Sequence, residues 1–465
     1  MRNTTLSRAL LGLALLLASA MTPAHAQKWV TSWAASIQGP YPVGNATAQP
    51  ELKFAFPTPD AGARDQTFRQ IVKPELWGRS VRLRLSNVLG TRPVTFDGVF
   101  VGLQSSGATL MAGSNRPVQF GGKKSVTVPP GSQAWSDAVT LPWVSNPQAP
   151  ELVGRKLAVS LHVLGESGPA TWHAKGLQTS YVTAPGAGSL GEFEDESAFP
   201  NSTTSWFFLD ALDVQAPSDT QLVVCFGDSI TDGTASTLNG DDRWPDVLAR
   251  RLRAAGGHGS VVNAGIGGNQ VVGPAEYSPA KPFPGGPSAL SRLDRDVLSL
   301  SGVTHVIWLE GINDFGTAGG ATAEQVQEGM KSGVARIRAK LRGVKVIGAT
   351  LTGVGGTTSA AQVGPEVERK RQALNAFIRD SHGLFDGVAD FDRAVTDPAT
   401  NGLRPEFVPN STVGGPGDGL HPNRAGYAAM ADAVDLRLLA EPARPKPRPK
   451  PPAETSSDAG GGAAR

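Results

Sequence analysis

The 465-residue sequence holds a single cysteine, Cys225, which excludes an internal disulfide framework and every cysteine-rich metal site. It has almost no net charge. Forty-three Lys and Arg stand against 41 Asp and Glu, giving +2, and no basic block interrupts the part expected to fold. Nucleic acid is therefore not an expected partner. Aromatic residues are scarce at 6%, while 56 Gly and 36 Pro require many turns. Forty per cent hydrophobic residues still suffice for a sizeable core and exclude a disordered chain. None of the seven histidines stands in an H-x-x-x-H or H-E-x-x-H spacing, so neither a metal nor an organic cofactor is expected.

Long hydrophobic runs are also missing, apart from one at the N-terminus. Arg2 and Arg8 give it a positive start, Ala9 to Ala18 is apolar but too short to span a bilayer, and Ala24-His25-Ala26 fits a small-x-small cleavage site. Residues 1–26 read as a signal peptide. The expectation is an exported protein, periplasmic or secreted, with no integral membrane segment once the signal is removed. Residues 442–465 begin with alternating Pro, Lys and Arg and end in Ser, Gly and Ala, a composition that favours extended, solvated chain over a core.

Between these ends the pattern changes once. Residues 27–215 carry short strand candidates at Ser80–Ser86, Val94–Leu103, Lys123–Val128, Lys156–Val163 and Gln178–Val182, separated by Gly/Pro/Asn/Ser clusters. This predicts an all-β sandwich or jelly roll. The break falls near Val214–Asp219. In residues 216–441, strands at Leu222–Phe226, Ser260–Asn263, Val303–Leu309, Val344–Thr350 and Gly387–Asp390 alternate with helices at Arg243–Arg253, Ala323–Arg342, Glu366–Ser381 and Arg424–Leu439. A further helix begins at Ser288, an N-cap residue. Five strands with intervening helices predict an α/β domain with a doubly wound parallel sheet. Ligands in such folds lie beyond the carboxyl ends of the strands.

Four short blocks sit at those ends: Gly227-Asp228-Ser229-Ile230-Thr231, Asn263-Ala264-Gly265-Ile266-Gly267-Gly268-Asn269, Gly311-Ile312-Asn313-Asp314, and Asp418-Gly419-Leu420-His421 before the last helix. Taken singly, each has an ordinary structural meaning, as a capped turn, a Gly-rich connection or an Asx turn. The second block lacks the full spacing of a dinucleotide-binding loop. No G-x-S-x-G elbow occurs, which disfavours the α/β-hydrolase fold.

Together and in this order, the blocks resemble the SGNH (GDSL-type) hydrolase family over residues 221–440. The resemblance implies a flavodoxin-like five-stranded parallel sheet. It also implies that Ser229 is the nucleophile, Asp418 and His421 the acid and base of the D-x-x-H block, and the N–H groups of Ser229 and Gly268 with the Asn313 side chain the oxyanion hole. With Gly265 and Gly267 so near, the oxyanion glycine could be shifted by one to three residues. These roles agree with what ester chemistry needs: a serine hydroxyl requires a base, an imidazole suits that task, and a tetrahedral oxyanion requires fixed donors.

The expected function is that of a serine esterase acting on a small-molecule or glycan ester through an acyl-enzyme, with short acyl groups such as carbohydrate O-acetyl the first choice. That choice draws on family members with an added β-sandwich. A lipase, lysophospholipase or aryl-ester hydrolase is the alternative within enzymes, and a carbohydrate-binding β module with a passive partner domain is the alternative outside them. Substrate choice falls to the rim loops 270–287, 352–365 and 401–417. Trp172-His173, on an expected β-domain loop, reads as structural, as does Cys225 in the strand behind the nucleophile turn.

Overall fold

The computed structural model describes residues 26–440; the stretch read as a signal peptide, but for Ala26, and residues 441–465 lie outside the described residues. The first half is antiparallel. Its main strands are β1 (Gln27–Ala34), β2 (Arg64–Val72), β3 (Ser80–Asn87), β4 (Val94–Ser106), β5 (Leu157–Glu166) and β6 (Leu209–Pro217). One sheet runs β1–β6–β3, and a second places β5 between β2 and β4. Phe68 of β2 and Phe96 of β4 meet Phe208 edge-on, at centroid distances of 5.7 and 5.3 Å, joining the sheets through aromatic contact.

β1, β2 and β6 were not among the expected strands. β2 shows why: Arg64-Asp-Gln-Thr-Phe-Arg-Gln-Ile-Val lacks clean alternation, yet Gln66, Thr67, Arg69 and Gln70 are all fully buried. Their partners come from elsewhere in the chain. Arg69 donates to Ala108 O at 2.6 Å and Ser160 Oγ at 2.9 Å, and Gln66 donates to Ala55 O and Thr183 O. A strand whose buried polar groups are satisfied at long range does not look buried in sequence. The antiparallel strands give way to parallel ones within a few residues. β6 runs through to Pro217, and only Ser218–Thr220 separate it from the first parallel strand.

The second half contains β7 (Gln221–Gly227), α1 (Ser229–Asp232), α2 (Trp244–Ala254), β8 (Gly259–Gly265), α3 (Ala289–Leu293), β9 (Val303–Leu309), α4 (Ile312–Phe315), α5 (Ala323–Lys340), β10 (Lys345–Ala349), α6 (Pro365–Arg379), β11 (Gly387–Ala389) and α7 (Arg424–Asp432). The sheet order is β8–β7–β9–β10–β11, parallel throughout, which is the flavodoxin-like order. β7 is buried at every residue, as its unbroken apolar run requires of a strand covered on both faces. β9 has the expected bounds. The last helix stops at Asp432, short of Leu439, and a separate 3-10 turn follows at Leu436–Leu438. Ser288 caps α3, its side chain accepting from Ser291 N.

The two halves share hydrogen bonds. Thr31 N of β1 donates to Ser301 O at 3.0 Å, and Arg82 of β3 bonds both Asp213 and Ser301. Among the described residues, no helix is long and apolar enough to cross a membrane.

Candidate active site

β7 delivers the serine. At its end, a Cβ on Gly227 would lie 2.2 Å from Leu309 O, so only glycine lets β7 pass β9 this closely. Asp228 then caps α1 by accepting from Ile230 N at 3.0 Å, and Ser229 is the first residue of the helix. Its side chain meets the imidazole carried in front of α7: His421 Nε2 lies 2.8 Å from Ser229 Oγ. On the other side, His421 Nδ1 lies 2.6 Å from Asp418 Oδ2. Asp418 Oδ1 accepts from the N–H groups of Leu420 and His421, both at 2.9 Å, and the Asp418 carbonyl is tied to Thr357 and Thr358 of the loop after β10. Burial works to raise the Asp418 pKa, but the hydrogen bond and charge of His421 and the two backbone donors outweigh it. The carboxyl is held well below its ordinary range.

Gly268 follows β8 and Asn313 follows β9, the two strands that flank β7. Gly265 N donates to Asn263 Oδ1 and Gly267 N to Asp232 Oδ2, whereas Gly268 N makes no hydrogen bond among the described residues. Of the three neighbouring glycines, Gly268 is the one with a free donor, and its φ of +81° is a conformation side chains disfavour. Asn313, at the start of α4, donates from Nδ2 to Asn269 O at 2.9 Å and accepts at Oδ1 from Gln362 Nε2 at 3.0 Å. The second proton of its Nδ2 is left over. Asn269 pins the loop, donating to Gly285 O and Pro287 O and accepting from buried Arg292.

Beneath α1 lies a buried charged group that spacing alone did not single out. Arg292 bonds the carbonyls of Gly227 and Ala264 and sits 3.7 Å from Glu310. Burial pushes the Glu310 carboxyl up to about 8 against the pull of Arg292, and the Asp228 carboxyl up to about 7. Asp314, raised by burial to about 6, accepts from Val271 N and Val272 N and anchors the loop after Gly268. Cys225 is buried in β7, and burial raises its thiol pKa well above the usual value.

Trp172-His173 lies not on a loop but in a short strand, Thr171–His173. Buried His173 meets Ser36 O at 2.6 Å and Asp232 Oδ1 at 3.1 Å, at the far end of α1. No local signal marks Gln362 or Arg292, because each acquires its partner only through folding. No group of three or more His, Cys, Asp or Glu is placed to hold a metal among the described residues.

A hydroxyl, an imidazole and a carboxylate in line at the end of a parallel sheet have the layout of a carboxylic ester hydrolase. Residues 225–429 match the model of the GDSL-like lipase/acylhydrolase family, so this part of the chain is a GDSL-like domain and the protein a carboxylic ester hydrolase. No curated protein matches the chain. Solved structures similar to it include a carbohydrate acetylesterase family member from Sinorhizobium meliloti, 17% identical, with a TM-score of 0.36, covering 47% of this chain and 99% of that one. A putative arylesterase from Agrobacterium tumefaciens is 22% identical with a TM-score of 0.35, covering 46% and 96%. A lipase/acylhydrolase from Enterococcus faecalis is 24% identical with a TM-score of 0.34, covering 46% and 93%.

Proposed function

We propose that this protein is an exported serine esterase that removes short acyl groups, such as O-acetyl, from a neutral or glycan alcohol. The observation that carries the mechanism is the line Asp418–His421–Ser229, with contacts of 2.6 and 2.8 Å, at the end of a strand whose two neighbours lead to Gly268 and Asn313. His421 takes the Ser229 proton as Oγ attacks the ester carbonyl, and Asp418 orients the ring and offsets its charge. The carbonyl electron pair moves onto oxygen, where the N–H groups of Ser229 and Gly268 and the Asn313 amide receive it, each worth about 3 kcal/mol of barrier. Collapse expels the alcohol, which takes its proton from His421 and leaves an acyl-serine. Water, deprotonated by His421, then repeats the sequence and releases the carboxylic acid.

The rim loops support the substrate class. Loop 352–365 carries no charged residue, 270–287 only the exposed pair Glu276 and Lys281, and 401–417 only Arg404 and Glu406, so no excess of cations lines the rim to receive an anionic substrate. The antiparallel half, residues 27–215, is read as a sandwich domain beside a catalytic domain of residues 216–441. Export rests on the composition of residues 1–26.

The test is an ester panel, with p-nitrophenyl esters of increasing acyl length and acetylated glycans, run on the mature protein and on Ser229→Ala. The expected result is highest turnover on acetyl esters and a loss on the order of 10³-fold or more in the variant. Preference for long acyl chains would replace the short-acyl reading with a lipase.

A further inference from the structure

The peptide that offers the Gly268 N–H is held from behind by the antiparallel half of the chain. Gln38 Nε2 donates to the Gly267 carbonyl at 3.1 Å and to Pro284 O at 2.6 Å. Asn45 Nδ2 donates to the same Gly267 carbonyl at 3.0 Å. The two donors are 229 and 222 residues away from Gly267 in sequence. The Gly267 carbonyl and the Gly268 N–H belong to one planar peptide unit and point in opposite directions. Fixing the oxygen therefore aims the hydrogen. Two donors on that oxygen also polarise the unit, which strengthens its N–H as a donor.

The other side of Gly267 is tied to the same half through Asp232. Gly267 N donates to Asp232 Oδ2 at 2.9 Å, and Asp232 Oδ1 meets His173 Nε2 at 3.1 Å. The fit is close as well: a Cβ on Gly268 would lie 2.8 Å from Asn45 Nδ2, and one on Gly267 would lie 3.0 Å from Lys175 Nζ. Nothing in the parallel half duplicates the two donors on the Gly267 oxygen, since no other hydrogen bond reaches that oxygen among the described residues.

We propose that Gln38 and Asn45 are positioning residues for ester hydrolysis, which hold the Gly267–Gly268 peptide so that its N–H meets the developing oxyanion. The antiparallel half is then a working part of the catalytic centre, beyond any role in binding substrate. The inference rests on the proposed use of Gly268 as an oxyanion donor.

Asn45 is the residue to change, because it is exposed and its substitution spares the core, whereas Gln38 is fully buried. The full mature chain is assayed with p-nitrophenyl acetate as wild type, Asn45→Ala, Asn45→Asp and Ser229→Ala, with melting temperatures for each. Loss of one neutral donor predicts a fall in kcat of ~3- to 10-fold for Asn45→Ala, with KM and melting temperature nearly unchanged. Asn45→Asp keeps the shape but presents a carboxylate to a carbonyl oxygen, so its kcat falls further. That excess loss shrinks as the pH is lowered and the carboxyl regains a proton to donate, a dependence a purely structural role does not produce. Full kcat in Asn45→Asp, with Ser229→Ala inactive, overturns the inference and leaves the serine mechanism standing. A loss in Asn45→Ala that follows a fallen melting temperature also overturns it. Full activity in Ser229→Ala instead overturns the underlying mechanism.

Discussion

Gln362 donates from its side-chain amide to Oδ1 of Asn313 at 3.0 Å, which fixes the orientation of the Asn313 amide. Ser359 Oγ bonds Gln362 Oε1 in turn, so the Gln362 amide is itself oriented. With Oδ1 engaged and one Nδ2 proton on Asn269 O, the remaining Nδ2 proton of Asn313 has one direction left. Gln362→Leu keeps the bulk and removes the donor. Turnover should fall by ~3- to 10-fold with KM little changed, as expected for loss of one neutral hydrogen bond to a catalytic group. Steady-state kinetics showing an unchanged kcat would mean that Asn269 alone orients the amide.

Asn313→Ala removes the donor itself. The expected loss is about 10²–10³-fold in kcat, or roughly 3–4 kcal/mol, with little change in substrate binding. Asn313→Asp should be at least as inactive, because it sets a carboxylate beside both Asn269 O and the developing oxyanion. A highly active Asp variant with a normal melting temperature would leave Asn313 as a turn-former only.

The pH profile should be simple on the acid side. Burial alone would raise the Asp418 carboxyl, but His421 and two backbone N–H groups hold it well below the ordinary range. It therefore stays ionised wherever the fold is stable, and its contribution to stability is lost only as pH falls through that depressed value. As pH is lowered, kcat/KM should decline once, on protonation of the base. Two separate acid inflections, the lower absent from Asp418→Asn, would contradict this assignment.

Stability should depend on pH in the opposite sense through Glu310. Its folded-state value of about 8 lies above that of an exposed carboxyl, and that of Asp228, at about 7, is raised likewise. Groups raised in this way favour the fold below the ordinary carboxyl range and lose that contribution as pH rises through 7 to 8, at up to about 1.4 kcal/mol per pH unit each. The melting temperature should fall between mildly acid pH and pH 9, and Glu310→Gln should flatten that fall. Calorimetry giving parallel curves for the two proteins would show that Glu310 does not titrate in this range.

Much of this could be read before folding. The run Leu222–Phe226 announced a strand buried on both faces, Val303–Leu309 matched its strand to the residue, and the four strand-end blocks brought Ser229, Gly268, Asn313, Asp418 and His421 to attention. These features are local: an apolar run, a turn, a hydroxyl beside an acid cap. Strands β1, β2 and β6 escaped notice because their buried polar residues find partners far along the chain, as Arg69 finds Ala108 and Ser160.

The sequence by itself determined which chemistry-bearing residues stand at the strand ends, because strand period and turn chemistry act over a few residues. Tertiary structure decided which donors are free. Gly265, Gly267 and Gly268 look alike in sequence, and only folding engages the first two with Asn263 and Asp232 and leaves Gly268 N–H unpaired. It also decided that Gln38, Asn45 and Gln362 stand behind Gly267 and Asn313, since a hydrogen bond depends on distance and direction between groups, and those are fixed only when segments 49 to 229 residues apart pack together.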